Sequence, residues 1–317
     1  MTDARTSKPL IIFPDADQEG LDLLEEALTI VDASCLEIQS HLDVPQNDDE
    51  WSERVAPADG ILLGWRLPSG ALKNAKNLKV ISYLGTGASD HVDLDIAEEQ
   101  GVTVMNVVGY GDSAVAEHAT ALLFSAVRNV PELDRAVRAG EWPSHGTWQL
   151  RGRRLGVVGL GGIGRRMAAI GKAIGMDVVA WNRSAEQGHT EDDGLSLLPL
   201  DELLATSDAV SLHVPLNSDT RGMIDERRLR LMKKDAVLVN TARGAVVDEE
   251  ALARVLTEGH LRAAATDVFG QEPINTDNPL LSAPRVILTP HVAFNTHEAS
   301  LRLFQMALQN LVEHFSA

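Results

Sequence analysis

Residues 155–164, LGVVGLGGIG, leave the backbone little choice. The run that opens the segment has no polar side chain, as a strand buried on both faces of a parallel sheet requires, and it passes directly into Gly159-x-Gly161-x-x-Gly164. RRMAAIGKAIG follows with helical composition, and DVVAWN reads as a second strand. In this order the first glycine permits a tight turn, the second lets backbone approach a pyrophosphate, and the third lets helix pack close to sheet. The expected dinucleotide contacts here are Gly159, Gly161, Gly162, Ile163 and Gly164.

The same alternation fills the rest of the chain. PLIIF, DGILLG, LKVISYLG and VTVMNV read as strands, with LDLLEEAL and DLDIAEEQG as helices. A longer helix, SAVAEHATALLFSAVRNV, is expected to end at Pro131, after which RLGVVGL, DVVAWN, AVSLHVP, AVLVNTA, RAAATDVF and RVILTPH resume the strand pattern. A chain of 317 residues exceeds one ordinary core of roughly 100–200 residues, so two doubly wound parallel-sheet α/β domains are expected, with chemistry at the cleft between them. The last segment places Leu301, Phe304, Leu308, Leu311 and Phe315 on one helical stripe, which reads as core packing and is able to cross back to the first domain.

Composition excludes several classes. A formal charge of −18 without any Lys/Arg-rich stretch argues against nucleic acid, and an anionic substrate would need cations supplied locally. There is no run of 18 apolar residues to span a membrane, and the opening residues lack the basic and cleavage regions of a signal peptide. Cys35 is the single cysteine, so the chain is expected to be cytoplasmic and without an intrachain disulfide. No HExxH or comparable cluster exists among the ten histidines, so no metal is expected.

Cofactor choice rests on the end of the second strand. Asn182 stands 18 residues past Gly164, near where an acid for the ribose of NAD is expected about 20 residues on. Asn tolerates a 2′-phosphate there, and Arg183 with Ser184 would bind it by charge and hydrogen bond, which favours NADP(H). The alternative is a solvated Arg183 and NAD bound without an acid partner.

Three residues after strands carry the candidate chemistry: Arg243 in NTARGAVVDEEAL, Glu272 in DVFGQEP and His291 in LTPHVAFNT. Each alone is unremarkable, but all follow strands of one parallel sheet, at the ends where open α/β folds bind ligands.

With NVVGYGDSAVAEH, LGVVGLGGIG, LHVPLNSDTRGMID, LVNTARGAVVDEEAL, DVFGQEP and TPHVAFNT in order, nearly the whole chain resembles the D-isomer-specific 2-hydroxyacid dehydrogenase family. That family includes glyoxylate/hydroxypyruvate reductases, D-lactate dehydrogenases and phosphoglycerate dehydrogenases. The resemblance implies a Rossmann cofactor domain, 108–290, inserted in a flavodoxin-like substrate domain, 1–107 with 291–317, usually in a dimer. It makes His291 the acid/base for a small 2-keto or D-2-hydroxy acid, with Glu272 orienting it and favouring its protonated form. It makes Arg243 the fork that binds the substrate carboxylate and polarises the carbonyl. It places Asp267 near the nicotinamide carboxamide, and His213, Pro215, Thr241 and Ala242 along the cofactor. The loop YLGTGASDHVDL resembles the family's substrate loop, in which amides from about Gly85 through Thr86, Gly87 and Ala88 to Ser89 would receive the carboxylate.

The chain also departs from the pattern. The substrate loop is one residue longer than the common form, Trp65 and Arg66 stand where small residues are usual, and Phe294 and Asn295 follow the His in place of small residues. Glu272 separates the chain from formate dehydrogenases, which pair the His with Gln. The remaining alternatives are an NAD-dependent phosphoglycerate dehydrogenase-like enzyme and a dinucleotide-binding sensor or corepressor without turnover.

Overall fold

The computed structural model describes residues 8–144, 146–183 and 194–316. Their contacts divide into two compact units, 1–111 with 296–317 and 112–295. The breaks fall at 111/112 and 295/296, a few residues beyond the expected 107/108 and 290/291. The reason lies at His291, whose amide donates to the Asp267 carbonyl at 2.7 Å, which ties the His291 turn to the second unit.

The first unit holds a five-stranded all-parallel sheet: β1 (Leu10–Phe13), β2 (Glu37–Ser40), β3 (Gly60–Leu63), β4 (Val80–Tyr83) and β5 (Thr103–Met105), in spatial order β2-β1-β3-β4-β5. That order is the flavodoxin-like one. β3 and β4 are buried at every position, whereas β2, on the edge, alternates exposed and half-buried residues and carries no apolar run. The terminal helix His297–Ser316 packs Leu303, Phe304, Ala307, Leu308 and Leu311 into a core with Ile11, Phe13 and Leu62. The sequence stripe is therefore core, and the unit is assembled from both ends of the chain.

The second unit holds seven parallel strands: β6 (Arg154–Val158), β7 (Asp177–Trp181), β8 (Ser196–Leu197), β9 (Ala209–Leu212), β10 (Val237–Asn240), β11 (Ala263–Thr266) and β12 (Val286–Leu288). Their order is β12-β11-β10-β9-β6-β7-β8, which reverses at β6. Two cores cover its faces, one with Val210, Leu238 and Ala264, the other with Leu155, Val239 and Ala265. Alternate residues of one strand therefore face opposite layers, so the strand interiors are mostly apolar on both sides.

Pro131 does not act as expected. The long helix spans Asp112–Arg128 and stops at Asn129, whose φ of 53° is left-handed, and Pro131 lies in the first turn of a new helix, Val130–Arg138. Proline is tolerated there because a first-turn amide has no intrahelical acceptor to lose.

Candidate active site

Parallel strands aim all their carboxyl ends one way, so the loops after β12, β11, β10, β9, β6 and β7 form a row along one edge of the second unit's sheet. Five strand spacings make that row about 24 Å long. His291 follows β12, Glu272 follows β11, Arg243 and Thr241 follow β10, His213 and Pro215 follow β9, the glycine turn follows β6, and Asn182 and Arg183 follow β7. The sheet thus brings the predicted acid–base residues to one end and the predicted ribose residues to the other.

At the first end His291 Nδ1 lies 2.6 Å from Glu272 Oε2, and Glu272 Oε1 accepts the Phe269 amide at 2.9 Å. Burial pushes the Glu272 carboxyl up, but the hydrogen bonds from His291 and Phe269 and the charges of His291 and Arg243 outweigh it and hold the group below its ordinary value. A carboxylate only accepts, so Nδ1 bears a proton and Nε2 is the atom left for chemistry. Phe294 meets the imidazole edge-on, ring centroids 6.0 Å apart. Asn240 shapes the neighbouring loop: its side chain accepts the Ala242 amide and donates to the Arg243 carbonyl, both at 3.0 Å. Gly244 is required beside it, since a Cβ there would come within 1.9 Å of the Phe269 carbonyl carbon.

His291 itself has φ 54°. A non-glycine residue holds that left-handed conformation only where its surroundings impose it. Asp267 does so. Its fully buried carboxylate accepts Thr289 Oγ1 at 2.6 Å and the amides of Val292 at 3.0 Å and Ala293 at 2.8 Å. Asp267, which the resemblance sets near the nicotinamide carboxamide, has no exposed side-chain surface, and its oxygens fold the His291 turn.

The groups along the row fit a dinucleotide. Gly159 has φ 100°, and a Cβ on Gly164 would come within 1.9 Å of the Gly159 carbonyl oxygen, so this turn admits only glycine, while Gly161 faces open space. His213 bonds Ser211 through Nε2 at 2.8 Å, but its Nδ1 and the Thr241 hydroxyl are buried without a partner among the described residues. Orphaned buried polar atoms at two adjacent strand ends are what a bound polar cofactor would satisfy. Burial pushes the His213 imidazole down to about 4, so it is neutral at ordinary pH. Pro215 adds a rigid loop, its carbonyl accepting Thr220 Oγ1 at 2.6 Å.

At the far end Arg183 is exposed and pairs with Asp219, Nη1 to Oδ2 at 2.8 Å. Ser184 lies outside the described residues. A cavity of about 320 Å³ opens beside Arg183, lined by Trp181, Leu200, Asp219, Met223 and Arg228 among others. Arg228 had no local signal in the sequence; strand order alone brings it to β7. Its guanidinium bonds Asp201 at 2.9 Å and the Met223 carbonyl at 2.7 Å.

In the first unit the expected substrate loop is partly committed already. The Gly85 amide donates to the Tyr83 carbonyl at 2.8 Å and the Ala88 amide to Asn106 Oδ1 at 2.9 Å, so neither is open to a carboxylate, while Thr86 is exposed. Asp15 accepts the amides of Gly64 at 3.1 Å and Trp65 at 2.7 Å and so sets the turn that exposes Trp65 and Arg66. Burial raises the Asp15 carboxyl in spite of these bonds. Trp65 lies over His91, which stacks on Tyr83, each pair with centroids 5.1 Å apart.

Comparison with known proteins gives the family. Residues 120–293 match the family described as D-isomer specific 2-hydroxyacid dehydrogenase, NAD binding domain. A glyoxylate reductase of Aeropyrum pernix is 42% identical over 268 residues, 82% of this chain and 80% of that one. A D-3-phosphoglycerate dehydrogenase of Archaeoglobus fulgidus is 35% identical over 292 residues, 91% of this chain but 55% of the longer relative. A solved acyclic imino acid reductase, in complex with NADPH and D-Arg, is 28% identical, with a TM-score of 0.82 over 97% of each chain.

Proposed function

The chain belongs to the D-isomer-specific 2-hydroxyacid dehydrogenases and is a nicotinamide-dependent 2-hydroxyacid oxidoreductase, and from that premise we propose that it mainly reduces a small 2-keto acid with NADPH. The observation that carries the residue roles is the His291–Glu272 pair, with the Arg243 charge acting on the same carboxylate.

The nicotinamide, when bound, supplies or takes the hydride; Thr241 and His213 would hold the cofactor alongside the glycine turn. Arg243 binds the substrate carboxylate and draws density from the adjacent carbonyl. His291 gives its Nε2 proton to the C2 oxygen while Glu272 keeps the Nδ1 proton in place, so one tautomer persists through the transfer. In reverse, neutral His291 takes the hydroxyl proton at Nε2.

Glyoxylate-class acids suit this reading, since the A. pernix relative is a glyoxylate reductase. NADPH rests on Asn182 and on Arg183 and Arg228 about the far cavity, tempered by Asp219 and Asp201. A homodimer is part of the proposal: the helix Val130–Arg138 buries none of its residues, and Val130, Val137 and Trp142 are exposed, with Trp142 88% exposed. A second copy would cover them. A cytoplasmic location is part of the same proposal, supported by the free Cys35 and the nicotinamide dinucleotide the chain uses.

The test is oxidation of NADPH and NADH, side by side, with glyoxylate, hydroxypyruvate, pyruvate, phenylpyruvate and 3-phosphohydroxypyruvate. The expected result is the highest kcat/KM with NADPH and a small unphosphorylated acid. A preference for the phosphorylated acid with NADH would support the phosphoglycerate dehydrogenase reading, and binding of dinucleotide without turnover would support a sensor.

A further inference from the structure

The helix Asp112–Arg128 packs across β10, β11 and β12, and on it His118 reaches the catalytic turn from 171 residues away. Its Nε2 lies 3.1 Å from Thr289 Oγ1 and 3.6 Å from Asp267 Oδ1. The Thr289 hydroxyl has one hydrogen, and that hydrogen is given to Asp267. Thr289 can therefore only accept from His118, so Nε2 carries a proton and donates it. The result is a chain of donors, His118 to Thr289 to Asp267, ending on the carboxylate that also gathers the amides of Val292 and Ala293. Between Thr289 and Val292 sits His291, in its left-handed conformation.

We propose that His118 is a positioning residue for the reaction: its Nε2–H, given to Thr289 Oγ1, fixes that hydroxyl on Asp267 and so locks the turn that aims His291. Without the bond the Thr289 hydroxyl keeps only its own hold on Asp267, and the left-handed turn rests on that carboxylate and the amides of Val292 and Ala293 with one support fewer. His118 acts at second hand, because its bond goes to Thr289 and not to His291 or Glu272. The proposal rests on His291 being the acid/base.

The test compares His118→Leu, which removes the donor, His118→Gln, whose side-chain amide carries an N–H at the same reach, Thr289→Val, the double variant His118→Leu/Thr289→Val, and His291→Gln. Each is measured for kcat and KM with glyoxylate and NADPH, for NADPH binding by tryptophan quenching, and for Tm. His118→Leu should lower kcat about tenfold, as loss of outer-shell support typically does, with NADPH binding and Tm near the parent. His118→Gln should stay within about threefold of the parent, and the double variant should be no worse than Thr289→Val, since both act through one bond. Unchanged kcat in His118→Leu overturns the proposal. So does joint loss of kcat, NADPH binding and Tm without recovery in His118→Gln, which would make His118 a packing residue. Appreciable turnover in His291→Gln would overturn the acid–base reading itself, a failure distinct from the other two.

Discussion

His291 and Glu272 meet Nδ1 to Oε2 at 2.6 Å although they belong to loops of different strands, 19 residues apart. The bond fixes which imidazole nitrogen is left for the substrate. Glu272→Gln is expected to lower kcat about 10- to 100-fold with little change in NADPH binding, as read in steady-state kinetics. The acid dependence has a definite sign. Because the folded carboxyl lies below its ordinary 4.5, its stabilising contribution is complete above that value and is lost as pH falls through the lower folded one. The Tm difference between parent and Glu272→Gln should therefore be full at neutral pH and close only as pH falls well below the ordinary 4.5.

Arg243 is held by its own loop, Nη1 donating to the Ala242 carbonyl at 2.8 Å. Lys retains the charge but not the two-pronged geometry that a carboxylate takes. Arg243→Lys should cut kcat/KM for the keto acid about 100-fold, at the upper end for a charge-assisted pair, and leave NADPH binding intact. An unchanged kcat/KM would remove Arg243 from the mechanism.

The exposed Arg183–Asp219 pair sets two opposite expectations for cofactor choice. Arg183→Ala should raise KM for NADPH about tenfold and leave NADH within about twofold, because only a 2′-phosphate needs the guanidinium. Asp219→Asn frees that guanidinium and removes a like charge from the phosphate; exposed pairs are worth about 0–1 kcal/mol, so NADPH preference should rise by up to about fivefold. Equal effects on both cofactors would place the 2′-phosphate elsewhere.

His213 is buried and neutral, its imidazole pushed down to about 4 from the ordinary 6.5. Between those values the unfolded chain binds a proton that the folded chain refuses, so stability falls as pH drops from 6.5 toward 4, by up to about 3 kcal/mol. Urea unfolding of the apo protein at pH 7.5 and 5 should show this loss, and His213→Gln should show a flatter dependence.

Trp142→Glu replaces an 88% exposed apolar side chain with a charge. It should shift the protein from dimer to monomer in analytical ultracentrifugation. A parent that sediments as a monomer would instead count against the dimer.

By itself the sequence determined where the buried strands lie and what types of residue follow them. Runs such as GILL, VISY and VLVN are mostly apolar on both faces, so their backbone and burial are written locally. The glycine turn was legible for the same reason: Gly159 and Gly164 are dictated by one φ angle and one carbonyl oxygen a few residues away. β2 and β8 were not legible, because β2 (EIQS) carries no apolar run and β8 spans only two residues, whereas the edge strands β5 and β12 keep an apolar run. Arg243, Glu272 and His291 could be picked out by type and by the strands before them, but their convergence could not. That depends on β10, β11 and β12 being neighbours, and buried parallel strands look alike to a reader of patterns. Tertiary structure alone decided that Asp267 turns inward to fold the catalytic turn, that Asp219 claims Arg183, and that His118 reaches Thr289. The physical reason is common to all three: a hydrogen bond is satisfied by whichever partner the strand order delivers, and that partner can lie 26, 36 or 171 residues away.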